Sequence, residues 1–128
     1  MKKSVIIIIV AFILSIVINT QTTMAQAAQY LPFAQEMPKP VGGLKSIYSK
    51  IKYPEMAKKA GVEGKVYVLV YVNKNGNVDD AKVIKGIGAG CDEAAVNGVK
   101  QIKFTVGKNK GVPVKVKVSI SINFKIKA

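Results

Sequence analysis

From Val112 to Ile126 the chain alternates without a break. Val112, Val114, Val116, Val118, Ile120, Ile122, Phe124 and Ile126 hold the even positions, and Lys115, Lys117, Ser119, Ser121, Asn123, Lys125 and Lys127 hold the facing odd ones. A period of two is that of a β-strand with one buried face and one wet face. A strand this long cannot bury its apolar face alone, so the chain must build a sheet and cover one side of it. The even residues are then the covered floor. The odd residues share the exposed face, and the strand is long enough to leave an edge open to a partner.

The rest of the chain supplies the partners. In "GKVYVLVYVNKNGNVDDAKVIKG", Val66, Val68, Val70 and Val72 alternate with Lys65, Tyr67, Leu69 and Tyr71. Leu69 among the alternate residues predicts partial cover on the second face too. Asn75-Gly76 predicts a tight hairpin with positive φ at both residues, and a return strand over Val78–Ile84. Leu44, Ile47, Tyr48 and Ile51 fall at i, i+3, i+4 and i+7, the apolar stripe of a short helix. A second short helix follows Pro54, with Glu55 in its first turn, Met56, Ala57 and Ala60 facing inward, Lys58 and Lys59 in the last turn, and Gly61 as its cap. A third helix carries Cys91, Ala95, Val99 and Ile102 on one narrow face. Gly98, unfavourable in a helix by about 1 kcal/mol, marks a close backbone approach there. "KFTVGKNKG" reads as a basic turn into the last strand. The order helix, helix, strand, strand, helix, strand predicts an α+β domain of two layers. Its small, mainly antiparallel sheet combines a hairpin and the long C-terminal strand, with short helices on one face.

The organisation along the 128 residues follows from composition. Residues 1–27 open with Met1-Lys2-Lys3, continue as an apolar run from Val5 to Ile18, and end in Ala25-Gln26-Ala27, the layout of a secretory signal peptide cleaved after Ala27. The alternative is a short membrane anchor. As a helix the run would reach about 21 Å against a hydrocarbon core of about 30 Å. Residues 28–43, with Pro32, Pro38, Pro40, Gly42 and Gly43, read as an extended linker. Residues 44–128 form the folded domain.

All 20 basic residues are lysines, set against seven carboxylates for a net charge of +13, which becomes +11 without Lys2 and Lys3. The chain has no His, Arg or Trp. Lacking His, it lacks the usual general base, most zinc ligand sets and the partner of a cysteine nucleophile. Lacking Arg, it lacks the fork that reads guanine and phosphate, and it shows no basic stripe interleaved with aromatics, so nucleic acid is not an expected partner. Asp79-Asp80 and Asp92-Glu93 read as a hairpin surface and a helix start, not as catalytic pairs. Adjacent strand residues face opposite ways. No catalytic, cofactor or metal site is expected. Cys91, a lone cysteine, reads as a small buried apolar residue.

From Ile47 onward the chain resembles the C-terminal domain of the TonB family. "YPEMAKKAGVEGKVYVLVYVNKNGNV" is similar to that family's Tyr-Pro helix, paired glycines and first hairpin. "GAGCDEAAVNGVKQIKF" is similar to its Asp/Glu-Ala-Ala helix ending in an aromatic, here Phe104. "GKNKGVPVKVKVSISINFKI" is similar to its Gly-x-Pro-Val lead into the last long strand. Val106 stands where the family usually has Pro, and Phe104 where a Trp is frequent. The resemblance implies a periplasmic domain that binds a segment of a TonB-dependent outer-membrane receptor by strand addition beside the last strand, as part of transport across the outer membrane. It implies partner-binding roles for Lys115, Lys117, Ser119, Ser121, Asn123 and Lys125, with the backbone of that strand as the main contact. An uncleaved N-terminus would add inner-membrane motor proteins as partners, and an open edge also suits pairing into a homodimer. The family's transducers carry a His in their anchor and a long Pro-rich spacer. The alternative function is therefore a stand-alone periplasmic module that binds another protein or an anionic cell-wall polymer, without energy transduction.

Overall fold

A computed structural model describes residues 29–127. The expected signal peptide, residues 1–27, lies outside the described residues. Three helices, α1 (Leu44–Lys50), α2 (Glu55–Ala60) and α3 (Cys91–Lys100), accompany five strands, β1 (Gly64–Val72), β2 (Val78–Lys85), β3 (Lys108–Asn109), β4 (Val112–Pro113) and β5 (Val116–Phe124). The main sheet has the order β2-β1-β5 and is antiparallel throughout, and β3 and β4 form a separate small hairpin. The fold is α+β, as expected.

Strand β1 sits in the middle, buried on one face and paired with β2 on one side and β5 on the other. Val66, Val68, Val70 and Val72 are fully buried, and opposite them on β5 stand Ile122, Ile120, Val118 and Val116. Helix α3 packs over β1 and β2, with Cys91, Ala95 and Val99 at full burial and Ile102 just past its end. Burial, then the charges of Asp92 and Glu93, pushes the Cys91 thiol above its ordinary pKa, which suits an inert packing role. Tyr53, from the Tyr-Pro motif, stands edge-on to Phe124 at 5.3 Å, and its hydroxyl donates to the Val62 carbonyl at 2.6 Å. That contact ties the lead-in to α2 to the far end of β5.

Several expectations need correction. The alternation from Val112 to Ile126 is not one strand. Val112–Pro113 turns aside to pair with Lys108–Asn109, so Val112 is 61% exposed, and β5 begins only at Val116. The Val114 N–H donates to the Gly107 carbonyl at 2.9 Å, which draws the chain off the main sheet just before β5. The apolar stripe of α1 is half used. Ile47 is fully buried and Ile51 packs beyond the helix end, while Leu44 and Tyr48 face outward. In α2 only Ala57 is buried; Met56 and Ala60 are exposed, since a six-residue helix offers one inward position per turn. The β1–β2 turn is a loop over Asn73–Asn77, not a two-residue turn. The Asn73 side-chain oxygen accepts the N–H groups of Asn75 and Asn77, and only Gly76 takes positive φ, at 83°. Gly76 also lies against Phe104, whose N–H donates to the Gly76 carbonyl at 2.8 Å, so any side chain there would strike the Phe104 carbonyl.

Residues 29–43 have no helix or strand of their own but lie along the domain. Glu36 bridges Lys108, and Pro40 bridges Phe104. The Val41 N–H donates to the Lys103 carbonyl, and the Thr105 N–H to the Lys39 carbonyl.

The expected close approach at Gly98 is present. A Cβ there would land on Ile51 Cγ1 and within 3.3 Å of the Lys50 carbonyl oxygen. Gly98→Ala gains about 1 kcal/mol of helix propensity but overpacks this contact at a cost of about 1–3 kcal/mol. A thermal melt should show a Tm lower by several degrees, with part of it restored when Ile51→Ala is combined with the change. A raised Tm for Gly98→Ala alone would contradict the packing.

Candidate partner-binding edge

A three-stranded sheet has two edges, and here they differ. On β2 the pairing with β1 is interrupted twice, between Tyr67 and Val68 and again between Tyr71 and Val72, leaving Ile84 and Asp79 as extra residues. Bulges of this kind twist an edge and spoil it as a template for another strand. On β5 the register with β1 runs unbroken from Val116 to Phe124. Its outer side is therefore a straight, regular edge.

Backbone groups alternate sides along a strand, so the odd residues turn their N–H and C=O groups away from β1. Three bonds confirm the parity. The Lys117 N–H donates to the Leu31 carbonyl at 2.9 Å, the Leu31 N–H donates to the Lys115 carbonyl at 2.9 Å, and the Asn123 N–H donates to the Tyr48 hydroxyl at 3.0 Å. Ser119 and Ser121 turn both their groups to the same side, and among the described residues nothing bonds them there.

Of the six residues expected at the site, Lys117, Ser119, Ser121 and Asn123 lie in β5. They share one face with Tyr67, Leu69 and Tyr71 of β1, which are half-buried. Lys115 lies just before the strand, with its ammonium 5.4 Å from the Tyr30 ring. Lys125 lies just after it, outside the ladder. Two neighbours were not legible as site residues. Tyr48 reads as a core residue of the α1 stripe, yet its hydroxyl reaches β5. Leu31 sits in a Pro-rich stretch with no pattern at all. A broad concavity of about 940 Å³ lies between the extended segment and the β3–β4 hairpin, and no residue of β5 lines it. An edge needs no cavity.

Tyr30 anchors the segment beside this edge. Its ring stands edge-on to Tyr71 at 5.0 Å and its hydroxyl donates to the Asp79 carboxylate. Burial, this hydrogen bond and the charges of Asp79 and Asp80 push its pKa from 10.0 to about 12. A raised folded value means that the contact's stabilisation is complete below pH 10 and is lost as pH climbs through about 12. Burial also raises the Tyr53 pKa, so tyrosinate absorbance should show more than one late-titrating tyrosine, and Tyr30→Phe should remove one of them. An unchanged alkaline end in Tyr30→Phe would contradict the contact.

Residues 49–126 match the family described as Gram-negative bacterial TonB protein C-terminal. Over 76 residues the chain is 32% identical to Protein TonB of Vibrio cholerae, a stretch that is 59% of this chain and 31% of that protein. The chain thus spans about a third of the length of this curated relative. A solution NMR structure of the TonB C-terminal domain of Pseudomonas aeruginosa superposes with a TM-score of 0.50 at 26% identity, covering 61% of this chain and 80% of that one. An NMR structure of the Helicobacter pylori TonB C-terminal domain covers 65% of this chain and 90% of its own, at 30% identity and a TM-score of 0.46. With more than half its length matched to the family, and with a small antiparallel sheet carrying short helices, the chain belongs to the TonB C-terminal domain family.

Proposed function

We propose that this domain binds an extended segment of a TonB-dependent outer-membrane receptor by strand addition along the outer side of β5, in the periplasm. The export signal read in residues 1–27 supports that compartment. The single observation that carries the proposal is the contrast between the two sheet edges, one bulged twice and the other regular over nine residues, with the outer backbone groups of Ser119 and Ser121 unpaired among the described residues. An unpaired regular edge invites aggregation, so its retention supports a use for it. Membership of the TonB family supports a receptor as the user.

Magnitudes say what the partner must bring. Main-chain pairing with Ser119 and Ser121 supplies about four hydrogen bonds of ~1 kcal/mol net each. Association costs at least ~4 kcal/mol and up to ~15. Backbone pairing alone therefore does not hold the segment, and side chains must contribute. The lysines at 115, 117 and 125 favour acidic residues on the partner. Leu44 and Tyr48, neighbours one turn apart on α1 and both exposed, offer apolar contact, with Tyr48 touching β5 itself. This division assigns affinity to the backbone and α1, and steering to the lysines.

Ser119→Pro tests the reading cleanly, because the lost N–H points away from β1 and the sheet keeps its own bonds. Titration with a peptide from a receptor's N-terminal segment should give an affinity at least about 10-fold weaker for Ser119→Pro, with the Tm nearly unchanged. Unchanged affinity in a folded Ser119→Pro would place the site elsewhere. Repeating the titration at high salt separates the readings: modest weakening fits strand addition, whereas complete loss fits an anionic polymer held by the lysines.

A further inference from the structure

We propose that Tyr30 and Leu31 close one end of the β5 edge and act as a fixed stop, which sets the length and register of the strand added beyond it. The proposal rests on the strand-addition reading. Leu31 bridges Val116 in parallel, donating its N–H to Lys115 and accepting from Lys117, each at 2.9 Å. The pairing ends after one residue because the chain bends at Pro32. Its later residues are tied to a different part of the domain through Lys108, Thr105 and Lys103.

The stop is anchored from three sides. The Tyr30 ring packs on Tyr71 of β1, its hydroxyl donates to Asp79 of β2, and the Lys115 ammonium lies 5.4 Å from its centre. The Lys115 ammonium also lies 3.4 Å from the Gln29 side-chain oxygen. At the opposite end of the edge, the Tyr48 hydroxyl already accepts the Asn123 N–H. Among the described residues, what remains unbonded between these ends is the Lys117 carbonyl, both groups of Ser119 and Ser121, and the Asn123 carbonyl. That window accepts about five residues of an added strand.

Two ends make the register specific. A slip of one residue would swap the partner's two side-chain faces. A slip of two would drive the partner into groups that Leu31 or Tyr48 already holds. Ser119 and Ser121 alone carry no side-chain information strong enough to prevent either slip, so the stop does it sterically.

A nested series of peptides from a receptor's N-terminal segment, five to nine residues long, tests this by calorimetric titration against the wild type, Tyr30→Ala and Leu31→Pro. In the wild type, affinity should stop rising beyond about five residues. In both variants the shortest peptide should bind as before and the longest about 10-fold tighter. Residue-resolved amide exchange of the free proteins supplies a partner-independent reading. The Lys117 N–H should exchange slowly in the wild type and fast in the variants, with β1 amides unchanged as a check on folding. A wild-type Lys117 N–H as fast as that of Ser119 would overturn the stop. So would long peptides that strip Leu31 of its protection as they bind. Absence of binding at every length, with Lys117 still slow, overturns the strand-addition reading and with it the role of the stop.

Discussion

Everything in this domain hangs on the pairing of β1 with β5. The two strands meet in a continuous nine-residue register, and their buried residues, Val66 to Val72 on one and Val116 to Phe124 on the other, line the core, with α3 packed over β1 and β2. Because β1 is also bonded to β2, it has no free side. Because β1 is the one strand paired with β5 among the described residues, the outer side of β5 is a row of backbone groups with a fixed direction and spacing, held at its ends by Leu31 and the Tyr48 hydroxyl. The core and the candidate site are therefore two consequences of one ladder. The even residues of β5 face the core, and the odd residues face outward.

The two edges of the sheet illustrate how a small β-protein can keep one edge in use and close the other. The extra residues Asp79 and Ile84 break the outer edge of β2, and Lys82 and Lys85 charge it. On β5 no bulge intervenes. Its exposed length is trimmed instead by contacts from outside the sheet, Leu31 at one end and the Tyr48 hydroxyl at the other. Such trimming leaves a short regular segment, open enough for a partner strand and too short to template extended self-pairing.

Much of this was legible in the sequence, for identifiable reasons. Residue alternation is a direct projection of the strand's own geometry, so β1 and the core of β5 could be read from it, and so could the outward set Lys117, Ser119, Ser121 and Asn123, while β2 was legible as the return strand of the Asn75-Gly76 turn. Gly98 was legible because a glycine inside a helix is costly and needs a reason, which Ile51 supplies. Other features depend on contacts distant in sequence and leave no periodic trace. The alternation runs through Val112 and Val114 although Val112–Pro113 pairs with β3 and lies exposed, because residue type alone does not report which strand is the neighbour. Tyr48 sits on an apolar stripe, but a phenol can end in a polar contact, and here it does so 75 residues away. Leu31 is placed by its backbone alone, which no side-chain pattern reports. The Asn75-Gly76 signal marked the turn correctly but not its type, because the Asn73 side chain closes a wider loop.

The central claim is that β5, not β2, is the edge that receives a partner strand. Intermolecular nuclear Overhauser contacts in a complex with an isotopically labelled receptor segment measure this directly. The account predicts backbone contacts from the segment to Ser119 and Ser121, flanked by contacts to the Tyr48 ring, and none to the outer side of β2. Contacts along Lys82 to Lys85, or to the lysine side chains without any to the β5 backbone, would contradict it.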